Sequence, residues 1–259
     1  MQKLILLLGL WIASVSAAPQ LLDLEFNHPN RLGDQKGGLP DASVLGDLAF
    51  VPHGDGAADF GVAGRLQVDA FPHPRGAFTV EARFRLRAYG SPESNSLSDL
   101  VNTSSWDLPG PFFAQGMVLR VGGGATYPAL PENTDPAVNA NCVGELVMAA
   151  QPGAPGYWME AYTNRCLELN QWVYLVGVWD GEEMRIYLDG RDATDEARTQ
   201  NGGSQPAFLP EATLTVGARN EGDSDARHLD GEMDFVRVLD GALTDRQILK
   251  RYRKTLDGN

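Results

Sequence analysis

Cysteine and histidine are scarce in this chain, and neither is spaced for the usual metal chemistry. Only Cys142 and Cys166 occur, there is no CxxC, and His28, His53, His73 and His228 stand far apart with no HxxxH pair. That spacing provides no zinc site of the finger or protease kind. A GxSxG nucleophile elbow is missing, and Gly122-Gly123-Gly124 lacks the Lys-Ser/Thr and following helix of a phosphate cradle, so it reads as a flexible loop. After the first residues no apolar run is long enough for a membrane helix. No internal repeat, low-complexity linker or long amphipathic helix interrupts the strand signals, which argues against a βαβ architecture. Basic residues are outnumbered, 21 Lys and Arg against 34 Asp and Glu, for a formal net charge of -13. Phosphate backbones and anionic membranes are poor partners for such a surface, whereas acidic solubilisation or cation binding suits it.

The first residues carry one cation, Lys3, before the apolar run Leu4 to Ala13, and small side chains follow at Ser16 and Ala17. This is the pattern of a secretory signal peptide cleaved after Ala17, with an apolar core too short to span a bilayer. The expected location is therefore secreted or periplasmic. In an exported chain the lone pair Cys142 and Cys166 is most simply one disulfide, contributing ~3 kcal/mol in the chain-entropy model. Residues 18–259 suit one large all-β unit better than two domains.

Strand signals run through the whole of that length. Leu21 to Asn27 alternates Leu22, Leu24 and Phe26 with polar residues, and Ala77 to Arg87 repeats the rhythm, as do Arg65 to Val68, Met117 to Val121 and Glu145 to Ala149. The clearest unit is WVYLVGVWDGEEMRIYLDGR, Trp172 to Arg191, two apolar-alternating stretches around Asp180-Gly181. It reads as a tight hairpin. Thr244 before Asp245-Arg246-Gln247-Ile248-Leu249-Lys250-Arg251-Tyr252 gives an N-cap, a first-turn acid and last-turn cations, the marks of one short helix. Tyr89 to Pro111 and Gly122 to Asn141 are longer than hairpin loops and rich in Gly, Pro, Ser and Asn.

The hairpin, followed by Val216-Gly217 and by LDGEMDFVRVLDGALTDRQI from Leu229 to Ile248, resembles the laminin-G-like branch of the concanavalin A-like lectin and glucanase superfamily. Its members run W-x-x-V-x-G-x-(Y/W)-D-G, then (L/I)-Y-(V/L)-(D/N)-G, then I-G, then D-G-x-(I/M)-D-x-V-R. The resemblance implies an all-β, two-sheet antiparallel jelly-roll sandwich with one short C-terminal helix. It also implies a structural Ca²⁺ on the aspartate of the last strand, here Asp234, with matching ligands at Asn27 and Asp34. Oxygen donors of these kinds suit calcium. A period of two places Asp234 in one row with Val236 and Val238, where an acid needs a partner; that partner is either the ion or Arg237, Arg191 or a backbone amide.

Function follows less directly. Some relatives are glycosidases with strand-borne E-x-D-x-E acids, but Glu232-Met233-Asp234 continues as Phe235-Val236-Arg237, and Glu145 and Glu160 are not paired at strand spacing. Sugar binding needs flat aromatics with polar neighbours, which Trp106, Tyr127, Trp158 and Tyr162 supply together with Asn164, Arg165 and Asp107. Core packing is the competing use of each ring. Asn102-Thr103-Ser104 is a glycosylation sequon in an expected surface loop. The leading reading is a secreted, non-catalytic module for carbohydrate or glycan-bearing partners. Its rivals are a carbohydrate-active enzyme of the same fold and a protein-interaction module of the cell envelope.

Overall fold

The computed structural model describes residues 18–27, 42–52, 56–61, 63–90, 97–104, 116–122, 142–149, 158–197, 199, 206, 208, 211–219 and 227–257. Met1 to Ala17, Asp34, Trp106, Asp107 and Tyr127 lie outside these, as does the side chain of Trp158. An eight-stranded antiparallel sheet runs β13 (Arg191–Asp192), β12 (Met184–Leu188), β11 (Trp172–Trp179), β6 (Phe78–Leu86), β15 (Gly231–Leu239), β4 (Ala57–Gly61), β3 (Ala49–Val51), with β1 (Gln20–Glu25) also on β15. A seven-stranded sheet runs β10 (Trp158–Cys166), β9 (Val143–Ala149), β8 (Met117–Val121), β7 (Ser98–Asn102), β14 (Glu211–Val216), β5 (Arg65–Pro72), β2 (Ser43–Leu45).

Alternation explains how the two sheets meet. In β6 the side chains of Phe78, Val80, Ala82 and Phe84 are fully buried in the shared core, leaving Thr79, Glu81, Arg83 and Arg85 for the other face. Two glycines set the distance between the layers. A Cβ on Gly177 would lie 2.8 Å from Leu146 Cδ1, and one on Gly144 would lie 2.7 Å from Leu175 Cδ1. Each leucine thus occupies the space that the opposing glycine leaves open.

β11 is buried on both faces. Val173, Leu175 and Trp179 join the inter-sheet core, while Tyr174, Val176 and Val178 pack with Phe235, Leu239, Leu243 and Ile248. Ile248 belongs to α1 (Asp245–Leu256), capped at Thr244 by a reciprocal capping box with Gln247. The helix runs one turn beyond Tyr252, to Leu256, because nothing in Arg253-Lys254-Thr255 breaks it and the cations suit its C-terminal end. The hairpin pairs Trp179 with Met184, and Asp180 Oδ1 accepts the N–H groups of Glu182 and Glu183 across the turn. Cys142 and Cys166 are bonded to each other, 24 residues apart in sequence, across the β9–β10 pairing.

Two expectations need correction. The stretch Tyr89 to Pro111 contains β7, a central strand of the seven-stranded sheet, because the short run Ser98–Asn102 is buried along its whole length and shows no alternation. In β15 the pairing register with β6 shifts between Met233 and Phe235. This bulge adds one residue, so Met233, Val236 and Val238 face the core and Asp234 leaves that row. At the same place the free edge of β15 passes from β4, on Gly231–Met233, to β1, on Phe235–Leu239.

Candidate functional site

The outward face of the seven-stranded sheet carries charge where a solvated surface would be expected to leave it exposed. Met117, Leu119 and Val121 of β8 and Leu146 and Met148 of β9 point into the core, which turns Arg120 and Glu145 to the other side. Arg120 and Glu145 are directly opposed across the strands, and the guanidinium donates from Nε to Oε2 at 2.6 Å and from Nη2 to Oε1 at 2.8 Å. Glu145 has no exposed surface. Asp99 of β7 stands opposite Arg120 on its other flank, also with none. Tyr162 of β10 stands opposite Glu145 and donates its hydroxyl to Glu160 Oε2 at 2.6 Å.

Asn102 completes the cluster. Its Nδ2 donates to Asp99 Oδ2 at 2.6 Å, and its Oδ1 accepts both the N–H and the hydroxyl of Ser104. Asn102 is fully buried at the end of β7, so the sequon is not in a surface loop. Among the described residues, Asp99 Oδ1 is buried without a hydrogen-bond partner, as is the hydroxyl of Ser98.

These groups are costly to place there. Burial raises the Asp99 carboxyl above its ordinary range despite the opposing charges of Arg227, Arg120 and Arg219. Burial raises Glu145 as well, against the pull of Arg120 and with a further push from the neighbouring Glu160. Effective desolvation costs several kcal/mol per ion, and ion pairs seldom repay it beyond what apolar packing would give. Buried polar groups that do not serve stability are characteristic of functional sites.

A pH dependence follows. A carboxyl raised in the folded state favours folding most below its ordinary titration range, and the benefit is lost as pH rises through the raised value. Asp99 and Glu145 should therefore make stability fall with rising pH above about 4. Asp99→Asn is expected to flatten that slope and to raise the melting temperature at neutral pH, which melts across a pH series would measure.

The other proposed residues are distributed as follows. Tyr162 is 2 % exposed, packed with Cys142, Val143 and Tyr89, so it offers its hydroxyl to Glu160 and not its ring to a ligand. Trp158 opens β10 opposite Ala149, at the sheet end where residues 150–157 and 105–115 connect the strands. The segment with Tyr127 joins β8 to β9 at the opposite end. Asn27 follows Phe26, whose N–H donates to the Asp234 carbonyl at 2.9 Å, which brings Asn27 beside Asp234. The Asp234 carboxylate accepts from Arg83 Nη1 at 2.6 Å, a partner other than Arg237 or Arg191. Arg237 instead holds Asp23 and Glu25. Among the described residues no group of three His, Cys, Asp or Glu side chains could hold a metal ion.

Sequence reasoning passed over Asp99 and Arg120 altogether and singled out Asn102 only as a glycosylation sequon. Glu145 and Glu160 look unrelated along the chain and meet only through the pairing of β9 with β10.

Two antiparallel sheets in this order, with the helix docked on one of them, define a concanavalin A-like jelly roll. Residues 60–249 match the Laminin_G_3 family model of the concanavalin A-like lectin/glucanases superfamily, and the chain belongs to that family. No curated protein matches the sequence. Among solved structures, it is similar to domain 4 of AbnA, a GH43 extracellular arabinanase from Geobacillus stearothermophilus solved with arabinotriose. The identity is 15 %, the TM-score 0.62, and the match covers 90 % of this chain and 98 % of that one. The receptor-binding domain of botulinum neurotoxin C/D mosaic serotype is similar at 13 % identity and TM-score 0.62, over 92 % of this chain and 51 % of that one. The binding domain of Paraclostridial Mosquitocidal Protein 1 is similar at 11 % identity and TM-score 0.61, over 92 % and 53 %. The chain thus spans about half the length of these two toxin domains. At such identities the likeness is one of fold. Among the described residues no helix is long and apolar enough to cross a membrane.

Proposed function

We propose that this chain is a secreted, non-catalytic carbohydrate-binding module whose ligand lies on the outward face of the seven-stranded sheet. One observation carries the reading: Asp99, Asn102, Arg120, Glu145 and Glu160 are buried together on that face, with an Asp99 oxygen unpartnered among the described residues. A row of fixed donors and acceptors is what sugar hydroxyls require, and Trp106, between β7 and β8 in the chain, and Trp158, at the start of β10, would add flat surfaces for pyranose faces. Tyr127 would border the other end, and Tyr162 holds Glu160 in place. The solved arabinotriose complex of a similar domain lends support to a saccharide ligand. Replacing Trp106 or Trp158 by Ala is expected to weaken binding to an oligosaccharide panel by about 1–2 kcal/mol without loss of fold. Normal binding by both variants would move the site elsewhere.

Calcium is a separable part of this proposal. Asn27, Asp34 and Asp234 would hold it as a structural ion, but Arg83 already neutralises Asp234, so the described donors fit the ion only if the guanidinium is displaced. Calcium should then raise the melting temperature of the wild type and not of Asp234→Ala. A wild type indifferent to calcium and EGTA removes the ion and leaves the glycan reading standing.

The placement of Glu145 and Glu160 on one face favours a second reading, a carbohydrate-active enzyme. Against it, Glu145 is held at both oxygens by Arg120 and Glu160 by Tyr162. Turnover of any bound oligosaccharide by the wild type and not by Glu160→Gln would establish that reading.

A further inference from the structure

A second candidate lies away from that face, where the edges of the two sheets meet the C-terminal helix. Past Tyr162, β10 leaves β9 and turns to the segment after β13: Thr163 bridges to Thr194, Asn164 N–H donates to the Ala193 carbonyl at 2.7 Å, and Asp195 N–H donates to the Tyr162 carbonyl at 2.8 Å. This seam and α1 enclose a groove of about 410 Å³ lined by Asn164, Arg165, Asp189, Arg191, Asp192 and Tyr252, among others. That volume is within the range of small-ligand sites.

The groove has a fixed wall. Tyr252 stacks on Tyr174 with ring centres 5.9 Å apart and planes 15° from parallel. Gly190, at φ +76°, lies so close that a Cβ there would come within 2.8 Å of Tyr252 Cβ. Only glycine allows the β12–β13 turn to press against the ring in this conformation.

The charges in the groove are unevenly committed. Asp189 Oδ1 accepts the Tyr174 N–H, and Asp192 Oδ1 accepts both the N–H and the hydroxyl of Thr194. Arg165 and Arg191 are exposed, and neither makes an ion pair with a described residue. By contrast Arg83, Arg85, Arg87, Arg120, Arg237 and Arg251 each hold a carboxylate. Two uncommitted guanidinium groups in one groove are unexpected on a chain of net charge -13. A guanidinium fork matches a carboxylate at two points, a tyrosine ring matches the C–H face of a sugar, and the Asn164 amide matches a hydroxyl.

We infer that this groove is a second binding site, selective for a carboxylate-bearing sugar of the uronic-acid class. The sugar half of this inference rests on the glycan reading above; the acid half rests on Arg165 and Arg191. The test is calorimetric titration of the full chain with a galacturonic-acid trisaccharide and with its neutral galactose counterpart. Wild type is expected to bind the acidic trisaccharide at least tenfold more tightly than the neutral one. The double variant Arg165→Ala/Arg191→Ala should lose that preference, and the corresponding double Lys variant should keep part of it. Equal binding of the two sugars, no binding of the acidic one, or full selectivity in the double Ala variant would overturn the assignment.

Discussion

Arg120→Ala is expected to destabilise the domain by about 3–5 kcal/mol, the usual cost of removing one partner from a buried ion pair. Glu145 has no exposed surface and takes both of its short hydrogen bonds from this guanidinium. Once Arg120 is gone, the carboxylate must stay buried without its cation or take up a proton. The double replacement Arg120→Met/Glu145→Leu should recover most of the loss, because apolar side chains of similar size often replace such a pair at no net cost. Urea unfolding at neutral pH measures both. A single variant as stable as wild type would mean that the pair is not desolvated in solution.

Removing the disulfide should cost about 3 kcal/mol, chiefly by freeing the unfolded chain. The bond closes a 24-residue separation and sits beside Tyr162, the residue that holds Glu160. Cys142→Ala/Cys166→Ala should therefore lower stability and loosen the polar face together. Wild type unfolded in the presence of reductant should match the double variant; equal stability with and without reductant would contradict this.

How far the sequence revealed all this depends on whether a signal is local. The β11–β12 hairpin, the alternation of β6 and the capped helix are local patterns, and each was readable because its burial pattern or capping is written within a few residues. β7 was hidden because a strand buried on both faces has no alternation, and Ser98-Asp99 at its start looks like a turn. The bulge at Asp234 defeated a strict period of two for a related reason, since one inserted residue shifts the rest of the row to the other face. The candidate site was the least legible part. Asp99, Arg120, Glu145 and Glu160 come from four different strands, and only the order β10-β9-β8-β7 brings them into one row. Of the aromatic residues that drew notice in the sequence, Trp158 and Tyr162 belong to β10, and it is the buried charges that mark the face.

The most direct test of this account is binding of the wild type, Asp99→Asn and Glu160→Gln to one immobilised panel of neutral oligosaccharides, with circular dichroism confirming that all three retain their β-sheet spectra. The account predicts that the wild type captures at least one member of the panel and that each substitution weakens that capture tenfold or more while the fold persists. Unchanged capture by both variants, or no capture of any saccharide by the wild type, would contradict it.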